Sequence, residues 1–152
     1  MDNSLSWFDK RLNAFYRATF YHLDHLQYPL RVDAQSPELD QWLNDRQHNH
    51  WVFITAWNPA SEPVTAHENL RAQSALRKTL RSKGWDYYPA LAVDPAGKWP
   101  SEPSLFVPDM TVAQGAELAY AFRQNAFLAG YIGKAVKLHW TMASFSMMTD
   151  EC

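Results

Sequence analysis

The stretch Trp51-Val52-Phe53-Ile54-Thr55-Ala56-Trp57-Asn58-Pro59 limits what this chain can fold into more than any other. Five of its first six residues are β-branched or aromatic, a run too short for a bundle helix and well suited to a central strand. Asn58-Pro59 ends it, because proline cannot donate to a sheet ladder and turns the preceding residue away from helix. Ala60-Ser61-Glu62-Pro63 continues as loop, and Thr65 opens a helix. A strand that leads through a loop into a helix N-terminus gathers backbone N–H groups, a positive dipole end and a side-chain amide in one crevice, a common basis for anion or polar-ligand sites. The alternative is an ordinary connection in which Asn58 stabilises its own turn.

The 152 residues fit one domain that needs no metal or disulfide to hold its core. Seven Trp, seven Tyr and eight Phe within a hydrophobic fraction of 47% argue against disorder. A net charge of −2 leaves no basic footprint, so nucleic acid and anionic membranes are disfavoured partners. The sole cysteine, Cys152, excludes an intrachain disulfide and a cysteine metal cluster. Neither a leader-like N-terminus nor a long apolar run is present, so a cytoplasmic location is expected, with no membrane partner.

Leu5, Phe8, Leu12 and Phe15 predict an amphipathic first helix with Ser4 or Ser6 as cap. Residues 19–23 and 28–32 read as a strand hairpin, and Ser36-Pro37-Glu38 starts a short helix with Leu39, Trp42 and Leu43 inward. Thr65-Ala66-His67-Glu68 is a capping box, with Ala72, Leu76 and Leu80 as the buried stripe and Gly84 as the stop. Strands follow at 85–93 and 105–107, expected to pair antiparallel across the Pro- and Gly-rich connection 94–103. Thr111 to Gln114 is a second capping box, with Ala116, Leu118, Ala119 and Phe122 inward. Strands at 126–132 and 135–140 close the domain about Gly133-Lys134, which puts Gln124-Asn125 at a helix-to-strand corner. The expectation is a single α+β domain over 1–140, with helices packed on a mixed, largely antiparallel sheet of about six or seven strands, and a tail over 141–152 that Phe145, Met147 and Met148 could dock.

Three blocks, Phe53 to Pro59 with Glu68-Asn69, Asp94 to Ser104, and Phe122-Arg123-Gln124-Asn125-Ala126, together resemble the bacterial domain-of-unknown-function family 3293 over roughly residues 14 to 140. The resemblance implies a small α/β protein whose polar motif positions are Asn58, Asn69, Glu102, Ser104, Gln124 and Asn125. It implies no established activity and leaves any cofactor unknown. At Ser101-Glu102-Pro103 this chain departs from relatives that carry a second acid beside the glutamate, so a two-carboxylate mechanism does not transfer.

Glu102 is the one acid inside an apolar, proline-flanked block, where burial would raise its pKa toward general-base values; satisfying backbone donors at a strand start is the competing role. Asn58, Asn69, Gln124 and Asn125 orient rather than transfer protons, and if they converge they suit a ligand rich in hydrogen bonds, such as a nucleotide, base or amide. Arg71 and Arg123 are candidates for anion recognition, and Trp57 and Trp99 for stacking, against the competing roles of surface cations and core anchors. His48 with His50, or His22 with His25, could share a metal, but a third ligand at a recognised spacing is missing and no metal is expected. Ser104 lacks a nucleophile elbow, and there is no P-loop or dinucleotide fingerprint. The leading expectation is a polar cleft at the end of the 51–57 strand that binds a small polar or nucleotide-like ligand. The alternatives are a homodimeric or partner-binding protein and, least favoured, a nucleic-acid processing one that would use Arg71, Arg77, Lys78, Arg81 and Lys83.

Overall fold

The strand expected at Trp51 runs from His50 to Ile54 and is hydrogen-bonded on both sides within a six-stranded sheet. The structure, a computed structural model, describes residues 7–141. In chain order the elements are α1 (Trp7–Ala18), β1 (Phe20–Leu23), α2 (Pro37–Asp45), β2 (His50–Ile54), α3 (Ala66–Ser82), β3 (Tyr88–Val93), β4 (Glu102–Pro108), α4 (Val112–Ala121), β5 (Ala126–Tyr131) and β6 (Lys137–Trp140), with a 3-10 turn at Pro59–Ser61. The sheet order is β1-β3-β4-β2-β5-β6 and every neighbouring pair is antiparallel. The chain forms one α+β domain. The expected cap at Ser4 or Ser6, the inward Leu5 and residues 142–152 with Cys152 lie outside the described residues, as does the side chain of Phe8.

Both faces of the sheet are covered, which is why Trp51 to Ile54 of β2 are apolar without interruption. Trp51 and Phe53 join Tyr21, Phe106 and Leu128 in a core closed by Leu39, Trp42 and Leu43 of α2. Val52 and Ile54 face the other way, into Leu105, Val107 and Phe127, under Leu76 and Leu80 of α3 and Leu118 and Ala119 of α4. Thr65 and Thr111 make both expected capping boxes, and Gly84, at φ 82°, takes the left-handed position that stops α3.

Several expectations shift once tertiary contacts act. The hairpin of residues 19–23 with 28–32 narrows to one bridge, Tyr21 to Leu30, and β1 pairs with β3 instead. Pro29 has no N–H to extend the ladder, and the Glu38 carboxylate takes the N–H groups of Gln27 and Tyr28 at 2.7 and 2.9 Å. The strand expected from Trp85 starts at Tyr88, because the N–H of Trp85 closes the end of α3 on Leu80 O. The buried stripe of α3 is Asn69, Gln73, Leu76 and Leu80, with Ala72 at its margin. On α4, Gly115, Leu118 and Ala119 are buried, while Ala116 and Phe122 pack at the border.

Gly130 on β5 sits against Trp51. A Cβ there would stand 2.5 Å from Trp51 Cζ2, and the ring is too deeply buried to retreat. Gly130→Ala is therefore expected to destabilise by about 1–3 kcal/mol through overpacking, read as a lowered urea midpoint at unchanged slope.

Candidate functional site

β4, with seven residues, is longer than its partner β2, with five. The ladder between them ends at Ile54 opposite Leu105, so Glu102, Pro103 and Ser104 overhang the end of β2 while still pairing with β3 on their other side. Pro103 is tolerated here because this edge asks for no N–H. The chain leaving β2 wraps round the overhang: Thr55 Oγ1 donates to Pro103 O at 2.7 Å, and Asn58 Nδ2 donates to Glu102 Oε2 at 3.2 Å. Glu102 thus begins a strand, three residues earlier than the sequence pattern predicts.

Asn58 is the hub of the corner. Its N–H donates to Asn69 Oδ1 at 2.7 Å, and its Oδ1 accepts from Asn69 Nδ2 at 2.8 Å and from the N–H of Val64 at 3.4 Å. Its side chain does not cap the 3-10 turn that follows, so the amide is spent on Glu102 and α3 rather than on its own turn. The backbone is strained: Asn58, Ala60 and Ser61 have φ of 45°, 57° and 60°, and Arg123 facing them has 58°. Each non-glycine residue in this region costs about 1 kcal/mol or more, least for asparagine. The 122–125 corner holds the loop in place. Arg123 O accepts from the N–H of Ala60 at 2.6 Å, Gln124 Nε2 donates to Trp57 O at 3.2 Å, and Asn125 Nδ2 donates to Ser61 Oγ at 2.8 Å. Thr141 in turn fixes that corner through Asn125 O and Gln124 O. Backbone strain held by side-chain struts clusters at functional sites.

Burial pushes the Glu102 carboxyl up from its ordinary 4.5 to about 7, and the Asn58 amide opposes the shift. The same acid presses on two buried phenols. Tyr16 is pushed up to about 12, chiefly by burial, and its hydroxyl meets Ser61 Oγ at 3.4 Å. Tyr21, raised further by burial, donates to Tyr16 O at 2.8 Å. Near neutral pH the corner therefore offers a half-ionised carboxyl beside two hydroxyls that keep their protons, a combination able to accept a proton from a ligand or to return one.

The expected site residues divide. Asn58, Asn69 and Glu102 form one hydrogen-bonded set, and Gln124 and Asn125 brace the loop that carries it. Ser104 is buried one pleat along, its hydroxyl donating to Glu102 O at 3.1 Å. Arg71 stands apart: it is exposed on α3 and reaches His67 Nε2 at 3.1 Å. Arg123 contributes its carbonyl, and its residue is exposed. Trp99, 52% exposed, lies edge-on to Phe15 rather than against the amides. The N-terminus of α3 carries its own capping box, in which Thr65 Oγ1 accepts from the N–H of Glu68. His48 and His50 both turn to Asp109, at its carboxylate and its carbonyl, and His25 sits among Trp42, Tyr88 and Phe106. Among the described residues there is no group of three or more His, Cys, Asp or Glu placed to hold a metal, and no helix long and apolar enough to cross a membrane.

Four contributors are absent from the sequence-based set: Tyr16, Thr55, Ser61 and Gln73. Gln73 was legible, since it falls one turn after Asn69 on the buried face of α3. Its Oε1 accepts from the N–H of Ala56 at 2.9 Å and from Thr55 Oγ1 at 3.3 Å, and its Nε2 is buried without a partner among the described residues. Tyr16 carries no such signal, being 45 residues from its partner Ser61.

Fold and site together define an antiparallel α+β domain with a strained polar corner built round one half-buried acid. A family model described as protein of unknown function (DUF3293) matches residues 54–127, from the last residue of β2 into β5, and over that segment the chain resembles this family. The match is narrower than the span of roughly 14 to 140, yet it contains Asn58, Asn69, Glu102, Ser104, Gln124 and Asn125. No curated protein and no solved structure matches the chain.

Proposed function

We propose that the corner at the end of β2 binds a small polar or nucleotide-like ligand, with Glu102 as the group that exchanges a proton with it. One observation supports this above the others: the carboxyl is held only by a neutral amide on a strained loop, where burial pushes it up to about 7. A purely structural acid at a strand start would be drawn below its ordinary pKa by backbone donors. Asn58 orients the carboxyl, Asn69 fixes Asn58, and Gln124 and Asn125 keep the loop from relaxing.

The test is a thermal-shift screen against nucleotides, nucleosides, amino acids and sugar phosphates, run on the wild type and Glu102→Gln. A ligand that binds only the folded state raises the melting temperature, by about 2.7 kcal/mol of stabilisation at a hundredfold excess over Kd. The expected result is a compound whose shift is lost in the variant. A compound that shifts both proteins equally would place the binding elsewhere.

A further inference from the structure

A charge taken out of water needs a partner, and among the described residues Glu102 has no cationic one. Its only hydrogen-bond donor among the described residues is the neutral Asn58 amide, whereas the exposed Asp33 holds both Arg17 and Lys137. The groups on this side are aromatic. Tyr21 stands in the same row of the sheet as Glu102, across Ala92, and donates to Tyr16 O, while the Tyr16 hydroxyl meets Ser61 Oγ of the loop that carries Asn58 at 3.4 Å. Trp140 lies edge-on to Tyr16 with centroids 5.5 Å apart, and Phe15 links Tyr16 to Trp99 at 5.9 Å each. Residue 102 keeps partial exposure at the overhang.

An acid near aromatic rings, with no cation paired to it among the described residues, matches an organic cation on two counts: the carboxylate supplies the countercharge and the rings supply cation–π attraction. A phosphate or carboxylate would meet the opposite, since Arg71 is paired with His67 on the solvent face of α3. Resting on the ligand-site reading above, we propose that the ligand of this corner is a small organic cation, an amine, amidine or guanidine, whose charged end sits at Glu102.

The cation selects the ionised carboxylate. With a midpoint of about 7, the ionised fraction rises from about a tenth to about nine-tenths between pH 6 and pH 8, so affinity rises about tenfold. Calorimetric titration at both pH values with methylguanidinium, benzamidinium and benzylammonium, each fully charged over this range, tests the inference, with benzoate, inorganic phosphate and glucose as comparisons. The expected result is binding of the cations alone, about tenfold tighter at the higher pH and abolished in Glu102→Gln. Binding that is equal at both pH values, or that survives in the variant, overturns it. Silence of every cation beside a Glu102-dependent response to a neutral or anionic compound overturns the cation and leaves the binding site standing. Silence of every compound, in this set and in the wider screen, overturns both.

Discussion

Glu102→Gln is expected to make the protein more stable at pH 8 and to leave it unchanged at pH 4. The sign follows from linkage. The folded-state pKa of Glu102 is raised, from 4.5 to about 7, so the folded protein binds more protons than the unfolded chain between those values. Stability from this group is fully present below 4.5, falls by about 1.4 kcal/mol per pH unit through the window, and is lost above about 7. The total is about 3 kcal/mol. Glutamine keeps the acceptor for Asn58 and has nothing to ionise, so the variant avoids that loss. At roughly 2–4 °C per kcal/mol for a chain of this size, the melting temperature at pH 8 should rise by about 6–12 °C. Equal melting curves for the two proteins at pH 8 would mean that the carboxyl is not desolvated. A residue that weakens its own fold at neutral pH while holding a fixed position is the stability–function trade expected of a working group.

The second large effect belongs to Asn58. Asn58→Ala removes the acceptor for Val64 and Asn69 and the donor to Glu102, and places a Cβ-bearing residue without a stabilising amide at φ 45°. Loss of the buried hydrogen bonds costs about 1–3 kcal/mol and the left-handed backbone about 1–2 more. Asn58→Gly separates the two, because glycine adopts this backbone freely and forfeits only the amide. Urea denaturation should therefore rank wild type above Asn58→Gly, and Asn58→Gly above Asn58→Ala. Both variants should also drive the Glu102 midpoint further upward, since the amide is the force that lowers it. A reversed order of the two variants would show that the left-handed backbone, not the hydrogen bonds, carries nothing measurable at this corner.

What the sequence makes legible here follows the range of the physics. Capping boxes at Thr65 and Thr111, the both-faces-buried strand at Trp51 and the turn at Gly133 are local, and each lies where its pattern places it. Asn58, Asn69 and Glu102 could be singled out because amides and an acid stand out against prolines and apolar neighbours, and the fold joins them by hydrogen bonds. Arg71 could not be placed from charge alone. It lies two residues past Asn69, about 200° round the helix, so burying one exposes the other. The pairing of β1 with β3 depends on contacts 70 residues apart that no window contains, and so does the approach of Tyr16 to Ser61. The early start of β4 was hidden by Pro103, which reads as a loop residue until the overhanging edge is known.

The most direct measurement is the titration of the Glu102 side-chain carboxyl by carbon-13 NMR, assigned by comparison with Glu102→Gln. A midpoint near 7, rising in Asn58→Gly, is the result predicted for a half-buried acid whose carboxylate is held by a neutral amide. A midpoint at the ordinary 4.5, unmoved by Asn58→Gly, would show a solvated surface carboxylate and contradict the account of this corner.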